Sequence, residues 1–417
     1  MQGFFSKLQT ASIVRPDGRK VSCNSCGLYK NPHSPKMTPY GNFEKGIMCI
    51  GEYPSETDDV RGKPFQGKGG RLLKETFAEL GFDLFNDCVS LNAINCRPLG
   101  KDGKLAKVKP FEIECCRRIV LAAINKYKPK VIILLGGDAV RSVIGNRWKK
   151  DLGKIDKWRG WTIPDQDLKT WICPVFSADF VELSQSGKTA KPEVLNVWKQ
   201  DLGKALGCVN ELDFPLYKEP NIHYIDETRL DVLDSIKSGK IAFDYEATGL
   251  KPHQKGHKIV CASIATSFDD VYTFMMPAKR SLKQPFIRLM EDENVKKISH
   301  NMKYERGWTL NILGTNVKNW FMDTMLAAHL LDNRTGVTGL KFQTYVQFGV
   351  ASYDDSIVSY LKGKDPKNAN SFNTILELSK TKEGKKELLH YCALDSIFTM
   401  RLHLLQKKQL DEMSIPF

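Results

Sequence analysis

Apolar and polar positions follow two different rhythms along this chain. In the first half, GIMCIGE (Gly46–Glu52) and KVIILLGG (Lys130–Gly137) are short, unbroken apolar runs that end in glycine. Strands covered on both faces of a parallel sheet read this way. GGRLLKETFAELGF sets Leu72, Leu73, Phe77 and Leu80 at helical spacing before a stop at Gly81. PFEIECCRRIVLAAINKYKP opens on Pro110 and runs helically to Pro129. These elements predict an α/β/α unit around a parallel central sheet. The rhythm changes at NELDFPLYKEPNIHYI, where Pro215 and Pro220 punctuate a polar connector. A new unit then starts with strand NIHYI, a helix over DETRLDVLDSIKSG with Asp226 as its N-cap, and strand KIAFDYE. The boundary falls near residue 217, giving units 1–216 and 217–417. The second unit ends in a long helix, KKELLHYCALDSIFTMRLHLLQKKQL.

Composition narrows the class. The 417 residues are 41% apolar and 26% charged, which is globular and enough for two or three cores. Lys and Arg outnumber Asp and Glu by 62 to 48, a net +14 that suits a polyanionic partner, nucleic acid above all. A merely solvated basic surface has the same composition. No apolar run is long enough for a membrane span, and MQGFFSKLQTASIVRPDGRK lacks the apolar core of a secretory signal, so a cytoplasmic location is expected. Eleven cysteines in such a chain argue for ligands or buried thiols over a disulfide framework.

The segment IAFDYEATGL (Ile241–Leu250) carries two acids inside a strand pattern. Alternation puts Ile241, Phe243 and Tyr245 on one face and Ala242, Asp244 and Glu246 on the other. Two like charges at that spacing repel unless water or a divalent metal neutralises them. Asn301 and Glu305 are four apart at the start of a predicted helix, as are Tyr391 and Asp395 on the long one. A strand-borne acid pair plus two helix-borne acids suffices for a two-metal site. Such a site activates water and stabilises a leaving oxygen in phosphodiester hydrolysis, with a tyrosine to orient the water.

FDYEATGL, HNMKYERG, FMDTMLAAHLL, GLKFQTYV and YCALD together resemble the proofreading 3′–5′ exonuclease domain of family A DNA polymerases, the DEDDy group, over Tyr224 to Leu405. The resemblance implies an RNase H-like fold with a mixed sheet and flanking helices. It also implies two Mg²⁺ or Mn²⁺ ions held by Asp244, Glu246, Glu305 and Asp395, and Tyr391 as the water-orienting group. The substrate expected from it is the single-stranded 3′ end of DNA. The family has Asp where this chain has Glu305, one methylene longer, and Asp323 matches a structural Asp of the family.

In the first half, Cys23 and Cys26 form a CxxC, Cys96 follows a predicted strand, and Cys115–Cys116 lie in the helix after a Lys-rich insertion. Such thiolates serve either zinc or an iron–sulfur cluster. Cys49, Cys88, Cys173, Cys208, Cys261 and Cys392 read as small buried hydrophobes. GEYPSETDDVRGKPFQGKGGRLL, LNAINCRP, EIECCRR, PKVIILLGGDAV and GWTIPDQDLKTWICP resemble the iron–sulfur (family 4) uracil-DNA glycosylases over about residues 20–200. This implies a [4Fe–4S] cluster on Cys23, Cys26, Cys96 and Cys116. It also implies a pocket for a flipped uracil, with Phe65 as stacking platform, Asn92 as the amide reading the base edge, Glu52 near the attacking water, and Asp58 as a second acid. The family's His-Pro pair is replaced by Ser177 and Ala178, and Tyr53 and Ser55 stand where Ala and Gly are usual. Losing the His donor costs about 10²–10³ in rate, so weak or absent base excision is expected.

Joined in this order, the two parts look like the front of a bacteriophage DNA polymerase, without the polymerase domain. The expectation is a proofreading exonuclease, either a natural split subunit beside a separate polymerase or a fragment of one, acting in the bacterial host cytoplasm. Two alternatives remain: an active uracil-DNA glycosylase with an associated exonuclease, and a non-enzymatic DNA-binding or replisome scaffold.

Overall fold

A computed structural model describes residues 18–186, 190–211, 213–351 and 353–414. The chain divides into two compact units, Met1–Tyr217 with Tyr345–Ala351, and Lys218–Thr344 with Ser352–Phe417. Among the described residues, no helix is long and apolar enough to cross a membrane.

The first unit is built on a sheet of β1 (Ile47–Gly51), β2 (Cys88–Asn92), β3 (Val131–Leu135), β4 (Ile163–Asp165) and β5 (Thr170–Val175), in the order β2-β1-β3-β5-β4. β2, β1, β3 and β5 are parallel, and β4 closes the edge antiparallel to β5. β1, β2 and β3 are buried at every residue, as the unbroken apolar runs of β1 and β3 require. The helix Lys68–Glu79 buries Leu73 and Phe77 and breaks at the expected place, where Gly81 takes a positive φ. The helix Pro110–Tyr127 starts on its proline as the sequence predicts.

The second unit is a mixed sheet of β6 (Asn221–Tyr224), β7 (Gly239–Ala247), β8 (Ile259–Ala265), β9 (Asp270–Met275), β10 (Val295–Ser299) and β11 (Trp320–Asp323), in the order β11-β10-β7-β8-β9-β6. β7, β8 and β9 form an antiparallel meander, while β10 and β11 add parallel to β7. One face packs Phe243, Tyr245, Phe274, Phe286 and Trp308. Against the other lies the long helix Lys382–Glu412. Hydroxyls fasten it there: Ser263 Oγ donates to the Cys392 carbonyl at 2.6 Å, and Thr273 Oγ1 to that of Leu389 at 3.0 Å.

One predicted element is corrected. The α-helix expected over residues 226–239 is a short 3₁₀ segment, Leu230–Ser235. Asp226 does not cap it, because its carboxylate turns onto Thr228, accepting from the amide at 2.9 Å and the hydroxyl at 2.7 Å. Such local side-chain bonds compete with helix initiation.

Candidate functional site

Asp244 and Glu246 lie on β7 opposite Ser263 and Cys261 of β8, on the face covered by the long helix. Directly opposed residues share a face, so the hydroxyl and thiol contacts that hold the helix also bring Asp395 down beside the two strand acids. Asp244, Glu246 and Asp395 each offer a carboxylate oxygen within 4.8 Å of the other two, and among the described residues they are the one such group suited to a metal ion. Burial, reinforced by the Asp395 charge, raises the Asp244 carboxyl well above its ordinary range. Burial and then the charges of Asp244 and Asp395 do the same to Glu246. Acids crowded in this way call for a cation.

Tyr391 sits one helical turn before Asp395 and is buried. Burial and the Asp395 charge push its phenol up, so it remains a proton donor. Glu305, on the helix Met302–Trp308, is 1% exposed and stands outside the three-acid group. Its Oε2 has no hydrogen-bond partner among the described residues, and burial followed by the Asp244 charge raises its carboxyl. Asp323 does other work. Its carboxylate accepts from the amides of Asn301 (3.0 Å), Met302 (2.8 Å) and Met325 (2.9 Å), capping two helix starts at once. A cavity of about 470 Å³ opens onto Asp244, Glu246 and Asp395, walled by Leu250, Tyr304 and Lys362.

The first unit carries a second cavity, of about 260 Å³, lined by Glu52, Tyr53, Ser55, Asp58, Phe65, Asn92 and Ser177. It forms where the parallel strands end, the usual crevice of such sheets. Gly51 closes β1 in register with Asn92 of β2, and Ser177 follows β5. A Cβ on Gly51 would stand 2.4 Å from Asn92 Oδ1 and 2.9 Å from the Phe65 ring, so only glycine lets platform and amide meet. Phe65 takes a φ of +59°, rare for a bulky residue. Asp58 fixes the loop, accepting from Ser55 N at 2.9 Å and from Gln66 N. Asn92 is 2% exposed, and its Nδ2 has no partner among the described residues, a buried donor waiting for an acceptor. Glu52 accepts from Asp138 N at 3.1 Å, and burial raises its carboxyl against that bond and the nearby Ser177 hydroxyl. Ser177 caps the helix Ala178–Ser184, accepting from Phe180 N at 3.3 Å.

Residues 38–201 match the family model for the uracil DNA glycosylase superfamily, and residues 226–411 the model for a 3′–5′ exonuclease. A type-4 uracil-DNA glycosylase of Saccharolobus solfataricus is 30% identical over 153 residues, 37% of this chain and 67% of that protein. One from Archaeoglobus fulgidus is 27% identical over 147 residues, 33% of this chain and 71% of that protein. The first part belongs to the uracil-DNA glycosylase superfamily, and the second is a 3′–5′ exonuclease domain. Coverage falls to 60% of the length of a Thermotoga maritima type-4 relative. Among solved structures, Brucella melitensis NrnC aligns with 48% of this chain and 85% of its own, at 19% identity and a TM-score of 0.34.

In the glycosylase-superfamily part, the cysteines gather between the short helix Cys23–Cys26 and the helix Pro110–Tyr127. Cys96 feels the charges of Cys26 and Cys23, and Cys116 those of Cys26, Cys96 and Cys23. Burial pushes Cys116 up to about 12. Lys36 N donates to Cys96 Sγ at 3.2 Å, a bond that favours thiolate. Cys115 also faces Cys26 and Cys23, a fifth thiol that the sequence reading sets aside. In the exonuclease domain the reading missed two residues at Asp395. Lys341 Nζ contacts Asp395 Oδ1, and Tyr353 Oη donates to the same oxygen at 2.6 Å. A lone lysine at a helix start reads as solvated, so the sequence offers no signal for it.

Proposed function

We propose that this chain is a divalent-metal-dependent 3′–5′ DNA exonuclease that trims single-stranded 3′ ends, proofreading for a family A, phage-type polymerase. The polymerase is either a separate subunit or the remainder of a longer chain. The observation that carries this reading is the convergence of Asp244, Glu246 and Asp395, with Tyr391 one turn away. These acids suit hard cations: buried, oxygen-only and mutually repelling. Asp244, Glu246 and Asp395 would hold one metal, and Glu305, near enough to feel the Asp244 charge, a second. Bound there, divalent ions supply an activated water and charge stabilisation for the departing 3′ oxygen. Tyr391, kept protonated by burial, donates its phenolic hydrogen bond to the attacking water and sets its line of approach. Leu250 and Tyr304 flank the terminal nucleotide in the adjoining cavity.

The glycosylase-like part holds DNA or a partner and excises uracil weakly or not at all. Asn92, Phe65 and Glu52 retain a base-reading cavity. The Ser177 oxygen is committed to the Phe180 amide and lies beside Glu52, which leaves it a poor substitute for an imidazole aimed at the base. Cys23, Cys26, Cys96 and Cys116 would hold the [4Fe–4S] cluster. Cys116 lies near enough to Cys23, Cys26 and Cys96 to feel the charge of each, as thiolates sharing one cluster must.

A 5′-labelled single strand tests the main reading. It should shorten from its 3′ end in Mg²⁺ or Mn²⁺, stop in EDTA, and react about 10³-fold slower or worse with Asp244→Ala. Wild-type rate in that variant sinks the assignment. On a primed template, equal removal of paired and mismatched 3′ nucleotides would leave an exonuclease without the proofreading role.

A further inference from the structure

The metal-site acids have a cation of their own. Lys341, on the helix Leu340–Phe348, reaches Asp395 Oδ1 with its ammonium and donates to Tyr353 Oη at 2.9 Å. Its Nζ lies 4.2 Å from the ring centroids of both Tyr353 and Tyr391. The two rings, 6.1 Å apart, hold it between their faces. Its side chain is 19% exposed and that of Asp395 8% exposed, so water screens the pair little.

We propose that Lys341 is a positioning residue that acts through Asp395 as a resident counter-ion. It neutralises the acid cluster in the metal-free protein and must leave Asp395 before a divalent ion takes that oxygen. It therefore sets how tightly the exonuclease domain binds metal. Two consequences share one sign. A positive charge already at the cluster opposes the arrival of another. Its removal also leaves three buried acids uncompensated in the apo state, which makes any incoming cation more welcome. An opposite charge within ~4–6 Å changes a carboxylate's proton affinity by about ten- to a thousandfold. The effect on a divalent ion should be at least the lower of these. The cage of Tyr353 and Tyr391 gives the displaced ammonium a nearby resting place, because cation–π attraction survives loss of the carboxylate. The ring of Tyr391 then carries the lysine while its hydroxyl serves the water, so metal loading and water orientation are linked through one side chain.

This inference rests on the acid cluster being the metal site, and the test separates the two. Mn²⁺ binding to the full chain is measured by isothermal titration calorimetry and by the loss of the free-Mn²⁺ paramagnetic resonance signal. Wild type, Asp244→Ala, Lys341→Met, Lys341→Gln and Lys341→Arg are compared. Binding lost in Asp244→Ala establishes the site. Lys341→Met and Lys341→Gln should then bind the first ion about tenfold tighter or better, melt lower without metal, and gain more on Mn²⁺ addition. Lys341→Arg, which keeps the charge, should stay near wild type. Asp244-dependent binding that is unchanged or weaker in both neutral variants overturns the counter-ion role alone. No Asp244-dependent binding in wild type overturns the metal site and the counter-ion role with it. Two neutral replacements of different shape guard against a packing effect of either.

Discussion

The acid cluster of the exonuclease domain lies along β7 and the cavity of the glycosylase-like part where β1 and β2 end, and the two differ in how completely their donor sets are filled. In the exonuclease domain three carboxylates meet within 4.8 Å, and a lysine stands by to balance them. In the glycosylase-like part the shape persists: Phe65 at positive φ, Gly51 yielding space to Asn92, and a buried amide donor without a partner among the described residues. The resemblance to the family would put an imidazole donor where this chain has Ser177, whose oxygen accepts from a helix-end amide. Binding geometry is spread over many residues and tolerates single changes. Stabilisation of developing charge rests on one or two groups and does not.

The strongest way to break this contrast is to restore the donor. Ser177→His should raise uracil release from a 5′-labelled strand by about 10²–10³-fold over wild type. The reaction is run in EDTA, which silences the exonuclease, and the strand is then cleaved in hot alkali. The cost is a weaker N-cap on the helix Ala178–Ser184, about 1 kcal/mol. Brisk excision by the wild type, unchanged in Ser177→His, would show that the cavity had lost nothing and that the whole chain is a two-activity enzyme.

A smaller effect tests the exonuclease side of the comparison. Burial first, and mutual charge second, hold Asp244, Glu246 and Glu305 above the ordinary carboxylate range. A carboxyl with a raised folded pKa binds more protons folded than unfolded, so its contribution is intact at low pH and falls as pH rises above the usual carboxylate values. In EDTA the melting temperature should therefore decline from pH 5 to pH 8 more steeply in wild type than in Asp244→Asn. Each pKa unit relieved should be worth roughly 1.4 kcal/mol, or about 3–6 °C for a domain of this size. Mg²⁺ should flatten the wild-type curve, because the ion takes the place of the protons. Parallel curves for the two proteins would mean that the acids are not electrostatically frustrated, and the contrast with the glycosylase-like cavity would lose its physical basis.

How far each site is legible in the chain follows from what fixes it. Asp244 and Glu246 are readable because period-two alternation puts two acids on a face that should be apolar, and Tyr391 and Asp395 because four residues make one helical turn. The parallel sheet of the first unit is readable for a related reason: β1 and β3 are apolar throughout, and they are buried throughout. The misread segment at 226–239 fails on a local contest, where an Asp that fits an N-cap is drawn to Thr228 instead. Glu305 is placed correctly on its helix, yet no spacing rule says whether a carboxylate one methylene longer joins the other three. Lys341 is invisible in one dimension, since its importance comes from two tyrosines and an aspartate that are 12 to 54 residues away in sequence.

The finest test lies in the base-reading cavity itself. If the glycosylase-like part still recognises uracil, its amide must make a bond that cytosine, with an amino group in place of the O4 acceptor, does not complete equally well. Asn92 is the group placed to make it, because its Nδ2 is buried, lines the cavity and has no partner among the described residues. A net hydrogen bond is worth about 0.5–1.5 kcal/mol, so Asn92→Ala should cut the preference for a uracil-containing strand by roughly 2- to 12-fold. Fluorescence anisotropy in EDTA, comparing uracil- and cytosine-containing strands, reads the ratio directly. Overall DNA affinity should barely move, since it comes from phosphate neutralisation by a chain of net charge +14 and falls with salt in both proteins alike. The alanine variant also removes an unsatisfied buried donor, so the free protein should be no less stable and the loss can be assigned to recognition. A wild-type protein that binds both strands equally would show that the cavity keeps its shape without reading a base, and that this part of the chain serves as a DNA- or partner-holding platform.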